Sequence, residues 1–204
     1  LFGQAGMLEN EDINDTYYQV LQKEYRHLRR KFSLRPIESH LWKYLRLRPS
    51  GFPQVRVAQF AVLIHKTHGF FSKIIDSQNV EDLADLFDLK ASSYWDTRYV
   101  FGRESHKISK KLGDSAFNAI LINTIVPIVF IYGKVRDIEE YRRKAFRFLE
   151  QLPPEKNSIV SKWKKLGIVP QNAFESQALL QLKNRYCVKK KCLDCRIGNK
   201  LINL

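Results

Sequence analysis

The stretch DSAFNAILINTIVPIVFIYG, Asp114–Gly133, decides the fold class of this chain. It contains the most apolar run of the sequence, and Asp114 is a suitable first residue for a helix. Pro127 is expected to kink that helix, because proline removes one backbone hydrogen bond and crowds the preceding turn. Polar residues and Pro127 interrupt the run, so we expect a buried core helix, too short to span a bilayer comfortably.

Helix start and stop signals recur on both sides of this run. Asp15 or Thr16 can cap a helix that continues to about Phe32, and Pro53 suits the first turn of another. The remaining expected helical segments are Ser39–Arg48, Gln54–Thr67, Gly69–Ile75, one capped by Asn79, a short one within Ser92–Tyr99, one opened by Asp137 with Glu140 and stopped by Pro153, Ser158–Leu166, and Ala173–Tyr186. We find no β-hairpin signal. The sequence therefore predicts an all-α, multi-helix globular domain of about eight to ten helices.

The expected organisation is one helical domain over residues 1–186, or two subdomains that meet near residues 103–113. A basic, cysteine-containing tail over residues 187–204 is expected to pack on it. The chain does not begin with Met, and we interpret it as the C-terminal half of a longer protein, with the N-terminal half as its partner. The start of the chain shows no signal peptide. Three cysteines, an odd number packed into one tail, do not form a disulfide framework and favour a reducing compartment.

The charge balance of the chain points to a polyanionic partner. There are 35 Lys and Arg against 21 Asp and Glu, a net charge of +14. Such a surplus favours nucleic acid, DNA or RNA, ahead of an anionic membrane surface. Evenly scattered surface charge is the alternative, and clustering of the cations distinguishes the two.

Cations cluster at several places in the sequence. Arginine suits bidentate phosphate recognition, and Gly51 with the helix after Pro53 can present backbone N–H groups to an anion. The predicted nucleic-acid-binding residues are Arg46, Arg48, Arg56, Arg98, Lys189, Lys190 and Lys191. The first expected helix also carries a basic face, whose members are Lys23, Arg26, Arg29, Arg30 and Lys31. The alternative for each cation is a pairing with a nearby acid or plain solvation.

Aromatic residues beside cations can stack on bases. We expect Trp42 and Trp163 to be core residues. The segment Tyr94-Trp95-Asp96-Thr97-Arg98 is interpreted as more open to such stacking.

All three cysteines of the chain, Cys187, Cys192 and Cys195, fall within nine residues of the tail. Their C-x4-C-x2-C spacing allows the thiolates to converge on one soft metal ion, and the neighbouring lysines would offset the negative charge. We expect a zinc ion or an iron–sulfur cluster; inert, separately packed thiols are the alternative. The candidates for a fourth ligand are solvent and the histidines His27, His40, His65, His68 and His106.

Several short motifs resemble one bacterial family, known from Bacteroidetes and designated domain of unknown function 2851. These motifs are LRLRP at 45–49 with FP at 52–53 and R-x-AQFA at 56–61, YWD at 94–96, LINT-x-VP at 121–127, QLP-x-EKN at 151–157, QALLQL at 177–182, and C-x-x-CRIG at 192–198. The resemblance covers nearly the whole chain and implies the C-terminal half of a bacterial cytoplasmic protein. It implies no activity, substrate or catalytic residue.

The sequence leaves three functions open. The leading hypothesis is a nucleic-acid-binding helical domain with a basic surface. The alternatives are an enzyme whose catalytic residues lie mainly in an N-terminal half, and a protein-interaction domain that uses its basic face on an acidic partner. No known catalytic motif occurs, and we assign no catalytic residue.

Overall fold

The computed structural model describes residues 1–202 and shows a helical protein. Within these residues the chain forms ten α-helices, two of which are joined into one by a π-helical segment, with several short 3₁₀ turns and one two-stranded sheet. The all-α prediction is confirmed. The chain divides into two compact units, the first made of Leu1–Phe70 and Asp85–Gly113, the second of Phe71–Ala84 and the chain from Asp114 onward.

The first unit has two long helices and much irregular backbone. Helix α1 spans Thr16–Phe32 and helix α2 spans Pro53–Lys66. Strands β1, Arg98–Val100, and β2, Arg103–Glu104, pair antiparallel. The short 3₁₀ turns of this unit are Ser39–Leu41, Pro49–Gly51, Asp85–Phe87 and Ser93–Thr97. Asp15 caps α1 as expected, since its side chain accepts a hydrogen bond from the backbone N–H of Tyr18.

An aromatic core holds this unit together. Trp95 is 1 % exposed, stacks on Phe2 at 5.5 Å between ring centroids, and meets Phe101 edge-on at 5.0 Å. Tyr18 is equally buried and also packs edge-on against Phe101. Aromatic pairs in these geometries add to the hydrophobic gain from burial. The core therefore depends on residues that are far apart in the sequence.

The first eight residues form part of this core. A Cβ atom on Gly3 would lie 2.0 Å from the ring of Tyr25, and one on Gly6 would lie 2.0 Å from the carbonyl oxygen of Ile37. Gly6 also has a φ of +67°, a conformation that favours glycine. These two glycines let the segment pack directly against α1 and against the chain near Ile37.

The second unit is built from helices. Helices α3 and α4 span Phe70–Asp76 and Val80–Ala84, with Phe70 itself assigned to the first unit. The helices that follow are α5, Asp114–Ile120, α6, Val126–Arg136, α7, Glu139–Gln151, α8, Ser158–Lys165, α9, Ala173–Leu182, and α10, Arg196–Ile202. Asn157 and Asn172 cap α8 and α9 through their side-chain oxygens, as their positions in the sequence predict.

A π-helical segment, Leu121–Ile125, joins α5 to α6, and the helix continues through Pro127. The wider π turn accommodates the proline, which lies in the first turn of α6. Among the described residues, Asp114–Arg136 is the single helix that is long and apolar enough to cross a membrane. From the sequence alone, this run is expected to be too short and too interrupted to do so. One such helix is weak evidence of a membrane span, because a soluble protein's core helix passes the same test; 33 % of its most apolar window is buried.

Helix α7 organises the rest of the second unit. A Cβ atom on Gly133 would lie 2.8 Å from Cβ of Tyr141, so this glycine allows α6 and α7 to pack closely. Lys144, 2 % exposed, donates from Nζ to the carbonyl oxygen of Ile75 at 2.7 Å and so binds α3 to α7. Burial lowers the pKa of Lys144 below its ordinary value.

Four local predictions are wrong. Residues 39–48 form only the 3₁₀ turn Ser39–Leu41, because the leucines of the segment stay exposed and build no buried helix face; Leu45 is 86 % exposed. A short hairpin occupies residues 98–104. Asp137 adopts a left-handed conformation that ends α6, so it does not cap α7. Trp95 is fully buried and unavailable for stacking on bases, whereas Trp42 and Trp163 are only half-buried.

Candidate functional site

A cleft in the first unit is lined by four arginines. It has a volume of about 570 Å³ and is formed by Arg26, Arg29, Arg30, Ser33, Leu34 and Arg35. We call it the arginine cleft. The four arginines are exposed to solvent, so their guanidinium groups are accessible to a ligand.

The end of α1 builds this cleft. Ser33 has a φ of +50°, and the N–H of Leu34 donates to the carbonyl oxygen of Arg29 at 3.1 Å. This helix ending turns the chain back and places Arg35 beside the last turn of α1. The side-chain amide of Gln4 then donates to the carbonyl oxygen of Arg35, which fixes the return segment.

Most of the positive charge in the cleft is uncompensated. Arg26 pairs with Glu11 at 3.0 Å, but both side chains are more than half exposed, so the pair contributes little. Within residues 1–202, no carboxylate lies within ion-pairing distance of Arg29, Arg30 or Arg35. Several guanidinium groups around one concavity can bind a phosphate or a run of phosphates through charge-assisted hydrogen bonds.

An exposed aromatic residue, Phe32, directly precedes Ser33 of the cleft in the sequence. Phe32 is 59 % exposed at the last position of α1, and Nζ of Lys31 lies 5.3 Å from its ring centroid. A solvent-facing aromatic ring beside cations is the arrangement on which an unpaired base can stack.

The structure gives the three predicted arginines around the Pro-Gly-Pro turn different surroundings. Arg46 has a φ of +63° and is exposed, as is Arg48. Arg56 is half-buried and donates to the side chain of Gln59 at 2.8 Å. Burial lowers the pKa of Arg56 from its ordinary value. The adjacent cavity of about 590 Å³ is lined by other residues, including Tyr44, Phe52, Tyr99 and Arg103.

Arg98 has protein partners on several sides. It lies 3.5 Å from the carboxylate of Asp15, pairs with Glu104 at 3.1 Å, and covers the ring of Tyr94 at 4.6 Å. The Tyr94 hydroxyl donates to Asp15 at 2.8 Å, and burial, followed by this hydrogen bond, raises the pKa of Tyr94. The geometry favours a structural role for Arg98 in binding the hairpin to the start of α1.

The tail lysines, in the second unit, are exposed. Lys189 and Lys191 line a shallow cavity of about 450 Å³ together with Arg185 and Asp194. Lys190 has a φ of +53° and reverses the chain. The 3.9 Å approach of Lys191 to Asp194 is a loose, solvent-exposed pair.

All three cysteines line one apolar cavity of about 330 Å³ in the second unit, which we call the cysteine cavity. Cys187 and Cys192 are exposed and Cys195 is buried, and all three are free thiols. The other lining residues are Trp163, Ile168, Leu179, Leu182, Tyr186, Lys191, Ile197 and Gly198. Within the described chain, no three His, Cys, Asp or Glu side chains are grouped so that they could hold a metal ion. Metal binding therefore stays a prediction, and all five histidines belong to the first unit.

Sequence reasoning missed Arg35 and the segment that positions it. Arg35 lies beyond the end of the basic helix face, and its place depends on contacts with Gln4, more than thirty residues away. The available signal was the pair of glycines in Phe2-Gly3-Gln4-Ala5-Gly6, which indicates a close backbone approach.

The described structure is that of a helical protein with a basic cleft at a helix end. A family model, described as a protein of unknown function (DUF2851), matches residues 1–158, and the chain belongs to this family. The match includes the arginine cleft and ends before the cysteine cavity. Comparisons with curated proteins and with solved structures gave no significant match.

Proposed function

We propose that this protein binds nucleic acid through the arginine cleft. The observation that carries the proposal is the convergence of Arg26, Arg29, Arg30 and Arg35 on one concavity, with three of them lacking a carboxylate partner among residues 1–202. The net charge of +14 favours the approach of any polyanion. In addition to this general attraction, the cleft provides a defined site for phosphate groups.

The cleft together with Phe32 suits a single-stranded nucleic acid better than a duplex. Its arginines are suited to consecutive phosphates, and the exposed ring of Phe32 offers a face to an unpaired base. The cations also complement the negative end of the α1 dipole, which alone would explain their presence at a helix C-terminus. A matched control must therefore separate phosphate binding from this helix-end effect.

The second unit supplies such a control. Helix α8 also ends in exposed cations, Lys164 and Lys165, within its last turn. The double variants Arg29→Gln/Arg30→Gln and Lys164→Gln/Lys165→Gln each remove two positive charges from the last turn of a helix. Only the first pair lines the arginine cleft.

The experiment measures binding of the full chain to labelled single-stranded and duplex DNA and RNA across a salt series. We expect affinity to fall as salt rises, because neutralised phosphates release their counterions. The arginine variant should weaken binding at least about tenfold and lower the salt slope by about 0.7 for each single-strand phosphate that the protein no longer neutralises. The lysine variant should leave the slope unchanged.

Two results of the binding series would reject the proposal, and a competition experiment provides a third test. One is no binding to any of the four nucleic acids at low salt. The other is equal weakening by the two double variants, which would indicate attraction by net charge alone. Polyglutamate serves as the competitor, and displacement equal to that by unlabelled oligonucleotide would indicate an acidic protein partner instead.

A further inference from the structure

The cysteine cavity is formed by a chain reversal rather than by a single helix. Helix α9 continues through the π turn Lys183–Cys187, which carries Cys187 at its last position. The N–H of Lys190 donates to the carbonyl oxygen of Cys187 at 3.1 Å, and the N–H of Lys191 to that of Tyr186 at 3.0 Å. Lys190 adopts the left-handed conformation, and together with these two bonds it reverses the chain. The residues after the reversal therefore line the same cavity as Cys187.

The second and third cysteines are held in a tight turn. The N–H of Cys195 donates to the carbonyl oxygen of Cys192 at 3.2 Å, and the N–H of Asn199 to that of Cys195 at 2.7 Å. The Asn199 side chain also donates to the carbonyl oxygen of Leu193 at 3.2 Å. Two cysteines at C-x2-C spacing are a ligand pair that structural zinc sites commonly use.

Gly198 allows this turn to pack against α10. A Cβ atom at that position would lie 2.6 Å from the carbonyl oxygen of Cys192 and 3.0 Å from its Cα. The turn is therefore fixed by backbone contacts. In the described residues the three thiols are not grouped as a metal site, so their sulfurs reach one ion only by rotation of the three side chains about their Cα–Cβ bonds.

The surroundings suit a thiolate site. The cavity walls are apolar apart from Lys191, so its three sulfurs are the soft donor atoms in the lining. One zinc ion with three thiolates carries a net charge of −1, which the ammonium of Lys191 and its neighbouring lysines would offset. A water molecule can complete the tetrahedron.

We propose that Cys187, Cys192 and Cys195 bind one zinc ion as thiolates at the cysteine cavity. Each thiol releases its proton to solvent as its sulfur coordinates the metal, so binding strengthens as pH rises. The ion would join the end of α9 to the turn before α10 and stabilise the tail. This site is separate from the arginine cleft and does not depend on the proposed nucleic-acid binding.

The test uses the reduced chain of residues 1–204 after removal of metal by a chelator. Zinc is titrated in competition with a chromophoric chelator, and cobalt(II) is used as a spectroscopic probe of thiolate coordination. We expect one ion per chain and a thiolate-to-cobalt charge-transfer band. The variants Cys187→Ser, Cys192→Ser and Cys195→Ser should each lower affinity by more than the roughly tenfold that loss of an outer-shell partner costs.

A triple Cys→Ser variant separates metal binding from folding. Zinc should raise the unfolding temperature of the wild-type chain and leave that of the triple variant unchanged, with both retaining the same helical circular dichroism. Equal zinc binding by the triple variant, or no zinc binding by the wild type, overturns the proposal. Iron together with acid-labile sulfide in the purified protein would also overturn it, because it would indicate an iron–sulfur cluster. A Cys192–Cys195 disulfide, seen as the loss of two reactive thiols without metal binding, would overturn it as well.

Discussion

The arginine cleft and the cysteine cavity are built by the same backbone device and differ in what lines it. Both follow a helix end at which a residue other than glycine adopts a left-handed conformation, Ser33 in one case and Lys190 in the other. In both, an N–H group donates to a carbonyl oxygen five residues earlier, Leu34 to Arg29 and Lys191 to Tyr186. The chain then returns along the side of the helix it has just left.

The side chains decide what each reversal can bind. At the end of α1 the returning chain adds Arg35 to three other arginines and leaves an open, charged cleft. After α9 it brings Cys192 and Cys195 into an apolar cavity that Cys187 also lines. The comparison shows that helix-end geometry supplies a concave site, whereas its chemistry comes from residues on both sides of the reversal.

The largest expected loss of stability comes from a substitution in the segment that packs behind the arginine cleft. Gly6→Ala would place a methyl group 2.0 Å from the carbonyl oxygen of Ile37, at a residue whose φ is +67°. We expect a loss of about 3 kcal/mol in the free energy of unfolding, from overpacking together with left-handed strain. Urea unfolding measures it, and oligonucleotide binding should weaken because residues 35–37 must move.

Gly51→Ala is the control for that variant, since no atom lies within 4 Å of its added Cβ. It should change the free energy of unfolding by less than about 1 kcal/mol. Equal destabilisation by the two substitutions would contradict the close approach at Gly6.

An intermediate effect is expected at the cysteine cavity. Gly198→Ala would press a methyl group against the backbone of Cys192, so we expect the tail to shift at a cost of about 1–3 kcal/mol. The global unfolding midpoint should move less than in Gly6→Ala, because the disturbed contact, Gly198 with Cys192, lies within the tail itself. Hydrogen exchange of residues 188–200 measures the local loss of protection.

Lys200→Ala, an exposed position on the same helix, is the comparison for Gly198→Ala. It should leave both hydrogen exchange and zinc affinity unchanged, whereas Gly198→Ala should weaken zinc binding. Zinc affinity unaltered by Gly198→Ala would show that the turn does not position the sulfurs.

The smallest expected change in stability comes from substitutions of the two left-handed residues that end α1 and the helix through α9. Ser33→Gly and Lys190→Gly should each raise stability by up to about 1 kcal/mol, because relief of left-handed strain exceeds the added entropy of the unfolded chain. Thermal unfolding of the two single variants measures this gain. Stability lowered by either substitution would mean that the side chain, Ser33 or Lys190, makes an interaction worth more than the strain.

The sequence by itself determined the helical class and most helix ends. Asp15, Asn157 and Asn172 cap helices where their positions predict, and Pro53 begins α2. These features are set within one turn of backbone, so they can be read from neighbouring residues. The basic face of α1 and the grouping of cysteines were also visible without a structure.

Only the tertiary structure decided which residues form each site. Ser33 and Lys190 adopt left-handed conformations that their residue types do not indicate, and a hydrogen bond from the side chain of Gln4 holds the backbone of Arg35 at the cleft. Trp95, which the sequence places among polar and aromatic neighbours, is buried by Phe2 and Phe101. The positions of Arg35 and Trp95 depend on the free energy of contacts between distant segments, and that free energy outweighs local preference once the chain is folded.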